Sequence, residues 1–206
     1  MISDAGATGP APYDWEQDLE ERLSLATPGD AVRGLFSKGI LNALRSLLGE
    51  PAVEHCLEVC GERKFVDFFN YPVRTHLLVV FTGARLLAPR YGGMEQALRQ
   101  LGRNSTADFL NSTAGKTMQL IARGNPTKLL DTLPFAYQVS LSFGTQTLEW
   151  EGPTSGRYIL RRDFIPLPSH EGVLEALLET SRARDVKVRG RRTGGLLDTE
   201  YTFSWR

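Results

Sequence analysis

The stretch Thr199-Glu-Tyr-Thr-Phe-Ser-Trp205 sets the reading of this chain. Thr199, Tyr201, Phe203 and Trp205 alternate with Glu200, Thr202 and Ser204, the period of two that puts one set of side chains on each face of a strand. Working back toward the N-terminus, Val186-Lys-Val-Arg189 repeats the alternation in a shorter run. Before it, Val173, Leu174, Leu177 and Leu178 recur at helical spacing, with Ser169 as the expected N-cap. Arg157 to Phe164, Thr147 to Trp150 and Val139-Ser-Leu-Ser-Phe143 read as three further strands.

Upstream of Pro134 the period is 3.6 throughout. An acidic stretch from Tyr13 to Leu25 predicts a short helix, and Thr27-Pro-Gly-Asp30 breaks the chain. Asp30 is the expected cap of an amphipathic helix to Leu48, carrying Val32, Phe36, Ile40 and Leu44 on its apolar face. Gly49 ends that helix, and Pro51 suits a first helical turn. Pro72 opens another helix, with Val73, Leu77, Val80 and Phe81, ending near Pro89. Further helices follow through Leu101, Leu110, Ile121 and Leu133. Helices followed by β-β-β-α-β-β do not give the alternation of a parallel sheet. They predict an α+β fold, an N-terminal helical array packed on a C-terminal antiparallel sheet of about five strands. Residues 1–12 read as a flexible tail and 13–206 as one domain.

The chain has 206 residues, with 24 basic and 24 acidic side chains and three histidines. That length suffices for a hydrophobic core, and zero net charge excludes a globally basic grip on nucleic acid. The neutrality conceals a polarity. Residues 14–21 are acidic, whereas Arg182, Arg184, Lys187, Arg189, Arg191 and Arg192 form a basic patch. Without interleaved aromatics the patch is a weak nucleic-acid footprint, and pairing with the acidic segment, within or between chains, is as good a use for it. No leader pattern and no apolar run of membrane-spanning length occur, so the expected location is cytoplasmic, with no membrane partner.

Motifs carrying chemistry are sparse. Leu110-Asn-Ser-Thr-Ala-Gly-Lys-Thr117 resembles the end of a phosphate loop but has Leu110 where the first glycine belongs, and it lies in helical sequence. His55, Cys56 and Cys60 are too few for a zinc site, so no metal is expected. His76 sits in an apolar helix, where an imidazole can titrate or ligate iron. No nucleophile signature is present. An enzyme would have to gather polar groups from among His76, His170, Glu151, Arg161, Arg162 and Asp163 into one cleft.

The segments Pro28-Gly-Asp-Ala-Val-Arg-Gly-Leu-Phe36, Phe65-Val-Asp-Phe-Phe-Asn-Tyr-Pro72, Gly156-Arg-Tyr-Ile-Leu-Arg-Arg-Asp163 and His170-Glu-Gly-Val-Leu-Glu175 resemble a myxobacterial paralogous family of about 200-residue proteins of unknown function. More distantly, the order of elements is similar to haem-nitric-oxide-binding and vinyl-reductase-type small-molecule-binding domains. That resemblance implies a helical shell on an antiparallel sheet, with an internal pocket. The haem branch is expected to carry Tyr-x-Ser-x-Arg, whereas Tyr158 here is followed by Ile159, Leu160, Arg161 and Arg162. The expectation is therefore no cofactor, haem included.

Together these point to a non-catalytic sensor or interaction module. It would hold a small apolar ligand among Phe36, Phe68, Phe69, His76 and Phe81, or form a homodimer through its helical layer. The ligand version requires an enclosed pocket of roughly 300 Å³ or more, and a filled core with no cavity is the alternative.

Overall fold

The computed structural model describes residues 13–206. The expected tail at 1–12 lies outside the described residues. The described elements are α1 (Trp15–Leu25), β1 (Ala31–Arg33), α2 (Gly34–Leu48), α3 (Glu50–Cys60), β2 (Asn70–Pro72), α4 (Val73–Tyr91), α5 (Met94–Asn111), α6 (Thr113–Ala122), α7 (Pro126–Asp131), α8 (Leu133–Gln138), β3 (Thr145–Gly152), β4 (Ser155–Arg161), α9 (Leu167–Thr180), β5 (Lys187–Arg192) and β6 (Thr199–Ser204). The fold class is α+β, with helices first and an antiparallel sheet last, as the change of period predicts.

The sheet has four strands in the order β3-β4-β6-β5, all neighbours antiparallel. β6 is central and carries the buried face expected of it: Thr199, Tyr201, Phe203 and Trp205 are all buried, and Thr202 is exposed. The strand expected at 139–143 is absent. α8 runs to Gln138, and Leu141 forms only an isolated bridge to Val32. Its backbone bonds go instead to a two-stranded sheet of β1 and β2: Arg33 N–H donates to Ser140 O and Ser142 N–H to Ala31 O. Three residues of strand on each side leave too weak a periodicity to read from sequence.

Two expected caps differ as well. Asp30 caps no helix, because β1 intervenes before α2. Its carboxylate accepts from the Thr27 backbone and hydroxyl and from Arg162, and the Arg162 hydrogen bonds hold its pKa down at about 2. Ser169 lies inside α9, which starts two residues earlier behind Pro166, so its hydroxyl has no backbone N–H to cap.

The core falls into two clusters of buried apolar side chains. One joins α2, α3, α4 and α5, with Leu44, Leu77, Phe81 and Leu98 at its centre. The other lies between the sheet and α7, α8 and α9, around Leu130, Tyr158, Leu177 and Tyr201. α9 stands between them. Its polar side is fastened to α5 by a ladder in which Arg99 meets Glu171 and Glu175, and Arg103 meets Glu175 and Glu179. The two ends of the charge polarity also meet: Arg192 on β5 lies 2.9 Å from Asp18 on α1, and Asp18 itself is held by the buried Arg22.

Candidate functional site

Where the two core clusters abut, they leave a chamber of about 90 Å³. Val32, Ile40 and Val80 face it from the helical cluster, and Leu133, Tyr137 and Leu177 from the sheet cluster. Phe36 and Phe109 stack across it with ring centres 6.2 Å apart. No Asp, Glu, Lys or Arg side chain lines it among the described residues. A wider surface groove of about 430 Å³ runs between α8 and β3, past Gln138, Phe143 and Gln146.

Two histidines reach the chamber, in different states. His76, on α4, is buried; its Nδ1 lies 2.9 Å from Ser37 Oγ on α2, and no hydrogen bond to Nε2 forms among the described residues. Burial pushes its pKa down to about 4, against a smaller opposing pull from Asp163, so the ring is neutral at physiological pH. His170, on α9, has both nitrogens engaged: Nε2 lies 2.6 Å from Asp163 Oδ2, and Nδ1 lies 3.3 Å from the Tyr137 hydroxyl. Ser169 also lines the chamber, and its buried hydroxyl has no partner among the described residues.

Of the residues expected to line a pocket, Phe36 and His76 do so. Phe81 is fully buried within the helical cluster and does not reach the chamber. Phe68 and Phe69 are exposed, at 76% and 64%, because the turn before β2 directs them outward. The basic patch spreads along β5 and the turn before it. There Lys187 and Arg189 face solvent, Arg191 pairs with Glu200, and Arg192 pairs with Asp18.

Among the six polar residues an enzyme would have to gather, His76, His170 and Asp163 come together. Glu151 pairs with Arg157, Arg161 bonds Thr193, and Arg162 bonds Asp30, all away from the chamber. Cys56 is a buried thiol pushed up to about 12 by burial, and among the described residues no three potential ligands gather for a metal ion. Gly115 in the phosphate-loop-like stretch serves packing: a Cβ there would lie 2.2 Å from the Phe109 carbonyl oxygen at the α5–α6 junction.

Sequence reasoning named Asp163 and His170 but missed Ser37, Phe109 and Tyr137, which reach the site from separate helices. Phe36, Ile40, Val80, Val173 and Leu177 came with the helical stripes.

The family model for a protein of unknown function, DUF2378, matches residues 25–206. The chain belongs to that family. No curated protein matches it. Among solved structures, the DUF2378 chain is similar in fold to the Fe(II) unliganded H-NOX protein from K. algicida, with a TM-score of 0.65 and 12% identity, covering 84% of this chain and 96% of that one. It is similar at 0.63, also with 12% identity and covering 84% and 95%, to an oxygen-binding H-NOX domain related to soluble guanylate cyclases, in its oxygen complex. A third similar structure, at 0.59, 12% identity and 84% and 99% coverage, concerns haem redox potential modulated by porphyrin distortion.

These likenesses correct the expectation of no haem. Haem proteins share this fold with the DUF2378 chain, so the absence of one propionate-gripping motif does not set haem aside. The residues meet the group only in part. A histidine, His76, stands at the chamber wall with no hydrogen bond to Nε2 among the described residues, but 90 Å³ is well short of the several hundred Å³ a porphyrin needs. In this conformation a porphyrin does not fit. Tyr158, where the motif would begin, donates inward to Gln146.

Proposed function

We propose that this protein is a non-catalytic small-molecule sensor module, whose ligand lies between the helical layer and the sheet. The observation that carries this reading is the uncharged chamber at the junction of the two core clusters, with a neutral histidine at its wall. A filled core would have closed that junction, since protein interiors pack to crystal-like density. The volume narrows the ligand. At about 90 Å³ there is room for a gas or a molecule of a few non-hydrogen atoms, and not for the drug-sized ligand that roughly 300 Å³ would hold. The fold it shares with oxygen-binding and Fe(II) H-NOX domains supports sensing of small molecules. The reading places the protein in a reducing cytoplasm, where Cys56 and Cys60 stay as the free thiols they are here. No described helix is long and apolar enough to cross a membrane.

Xenon-129 NMR of the purified chain tests this. Saturable xenon binding is expected, and it should be abolished by Ala136→Phe, which fills the chamber from α8. No saturable binding would overturn the reading. Expression with added haem precursor answers the wider question in parallel, because a Soret band would show that the chamber opens to take a porphyrin. Native mass spectrometry of the same sample reports subunit count. A second copy of the chain would cover the exposed Leu120, Ile121, Phe135 and Val139 of α6, α8 and the α8 C-cap.

A further inference from the structure

The chamber wall has more donor capacity than it uses, and the surplus is directional. Thr106 and Ser105 both spend their hydroxyl protons on the Gly102 carbonyl. The Tyr137 hydroxyl and both His170 nitrogens are tied to one another and to Asp163. Ser37, 1% exposed, has a single partner among the described residues, Nδ1 of His76. A buried hydroxyl gives its proton to the acceptor in reach, because an orphaned buried donor costs about 1–3 kcal/mol. Ser37 therefore donates to Nδ1, and the ring's own proton is fixed on Nε2. That N–H has no partner among the described residues and belongs to a ring lining the chamber.

We infer that the chamber takes a small neutral molecule with one acceptor oxygen, such as a short ketone, aldehyde or ester, and that this oxygen accepts from His76 Nε2. This rests on the chamber's being the ligand site, and it adds the chemical class. Neutrality follows from the lining. Among the described residues no Lys or Arg side chain faces the chamber, so a carboxylate would lose its hydration without gaining a counter-ion. An ammonium would likewise meet no free carboxylate, since Asp163 is taken by His170. The neutral state of His76 agrees, because an imidazolium there would favour an anion. Size limits the molecule to about four non-hydrogen atoms, scaling from a cavity of about 150 Å³ that admits benzene. Ser169, on α9, supplies a second hydroxyl without a partner among the described residues. Ser37 is a positioning residue, acting only by fixing the tautomer.

The test uses the full chain labelled with 15N-histidine and titrated with acetone, acetate and xenon. Acetone should shift the His76 Nε2–H resonance with saturation, and acetate, of the same size, should not. The ratio of acetone to xenon affinity should fall about tenfold in His76→Phe, the worth of one neutral hydrogen bond. Ser37→Ala should broaden the Nε2 signal between tautomers and lower the ratio about threefold. If xenon binds while acetone leaves Nε2 unmoved, or if the ratio is the same in His76→Phe, the acceptor-oxygen inference fails and the chamber reading survives. If neither probe binds, the chamber reading itself falls. Should His76→Phe not fold, the Nε2 resonance of the unmutated chain decides the matter alone.

Discussion

On one side of the chamber, α5 and α9 cross so closely that glycine alone fits. A Cβ on Gly102 would lie 2.0 Å from the Ser169 carbonyl oxygen, and one on Gly172 would lie 2.0 Å from that of Arg99. The Arg99/Arg103 ladder to Glu171, Glu175 and Glu179 locks the same seam from outside. On the other side, α6 has ten residues and α8 six, and Leu120, Ile121, Phe135 and Val139 stand exposed there. Regions with little buried apolar surface open at low free-energy cost. The chamber thus has one firm wall and one soft one, and the proposed ligand is expected to enter past α6 and α8.

The firm wall should fail hardest when its polar anchor goes. Asp163→Ala leaves buried His170 without its 2.6 Å partner and should cost about 4 kcal/mol in urea denaturation. Gly172→Ala should cost about 3 kcal/mol by forcing the α5–α9 seam apart, lowering Tm by roughly 6–12 °C in a calorimetric scan. Equal stability to the unmutated chain would mean the seam yields easily, and the contrast between the walls would collapse.

Acid should act next, through His76 on α4. His76 titrates at about 4 when folded and near 6.5 when unfolded, so below pH 6.5 the unfolded chain binds the extra proton. Its stabilising contribution is complete above pH 6.5 and declines as pH falls toward 4. The loss should reach up to about 3 kcal/mol and disappear from the pH profile of His76→Phe. On the soft wall, Leu120→Ser should change stability by less than about 0.5 kcal/mol. Amide hydrogen exchange should separate the walls directly, with α6 and α8 exchanging before α5 and α9; the reverse order would place the entrance elsewhere.

The firm wall and the sheet were the legible parts. β6 could be read because one buried face imposes a strict period of two, and α2 and α4 because their apolar stripes repeat at helical spacing. Phe36 and His76 came with those stripes. The soft wall and the polar chemistry were not legible for a physical reason. Val139 to Phe143 alternates as a strand does, yet it caps a short helix and crosses to β1, because tertiary contacts decide such short runs. Ser169 looks like a cap by sequence and is instead a buried hydroxyl inside α9. His170 looks like a surface residue after Pro168, and only the approach of Asp163 and Tyr137 shows otherwise.

β5 forms one open margin of the sheet, with Lys187 and Arg189 pointing into water from it. A free strand margin invites the same strand of another molecule to zip onto it, the first step of many aggregates. Here such zipping would bring cation against cation along the join. Lys187 and Arg189, part of what looks like a nucleic-acid footprint in the sequence, would thus oppose such joining, and that opposition weakens as salt screens it.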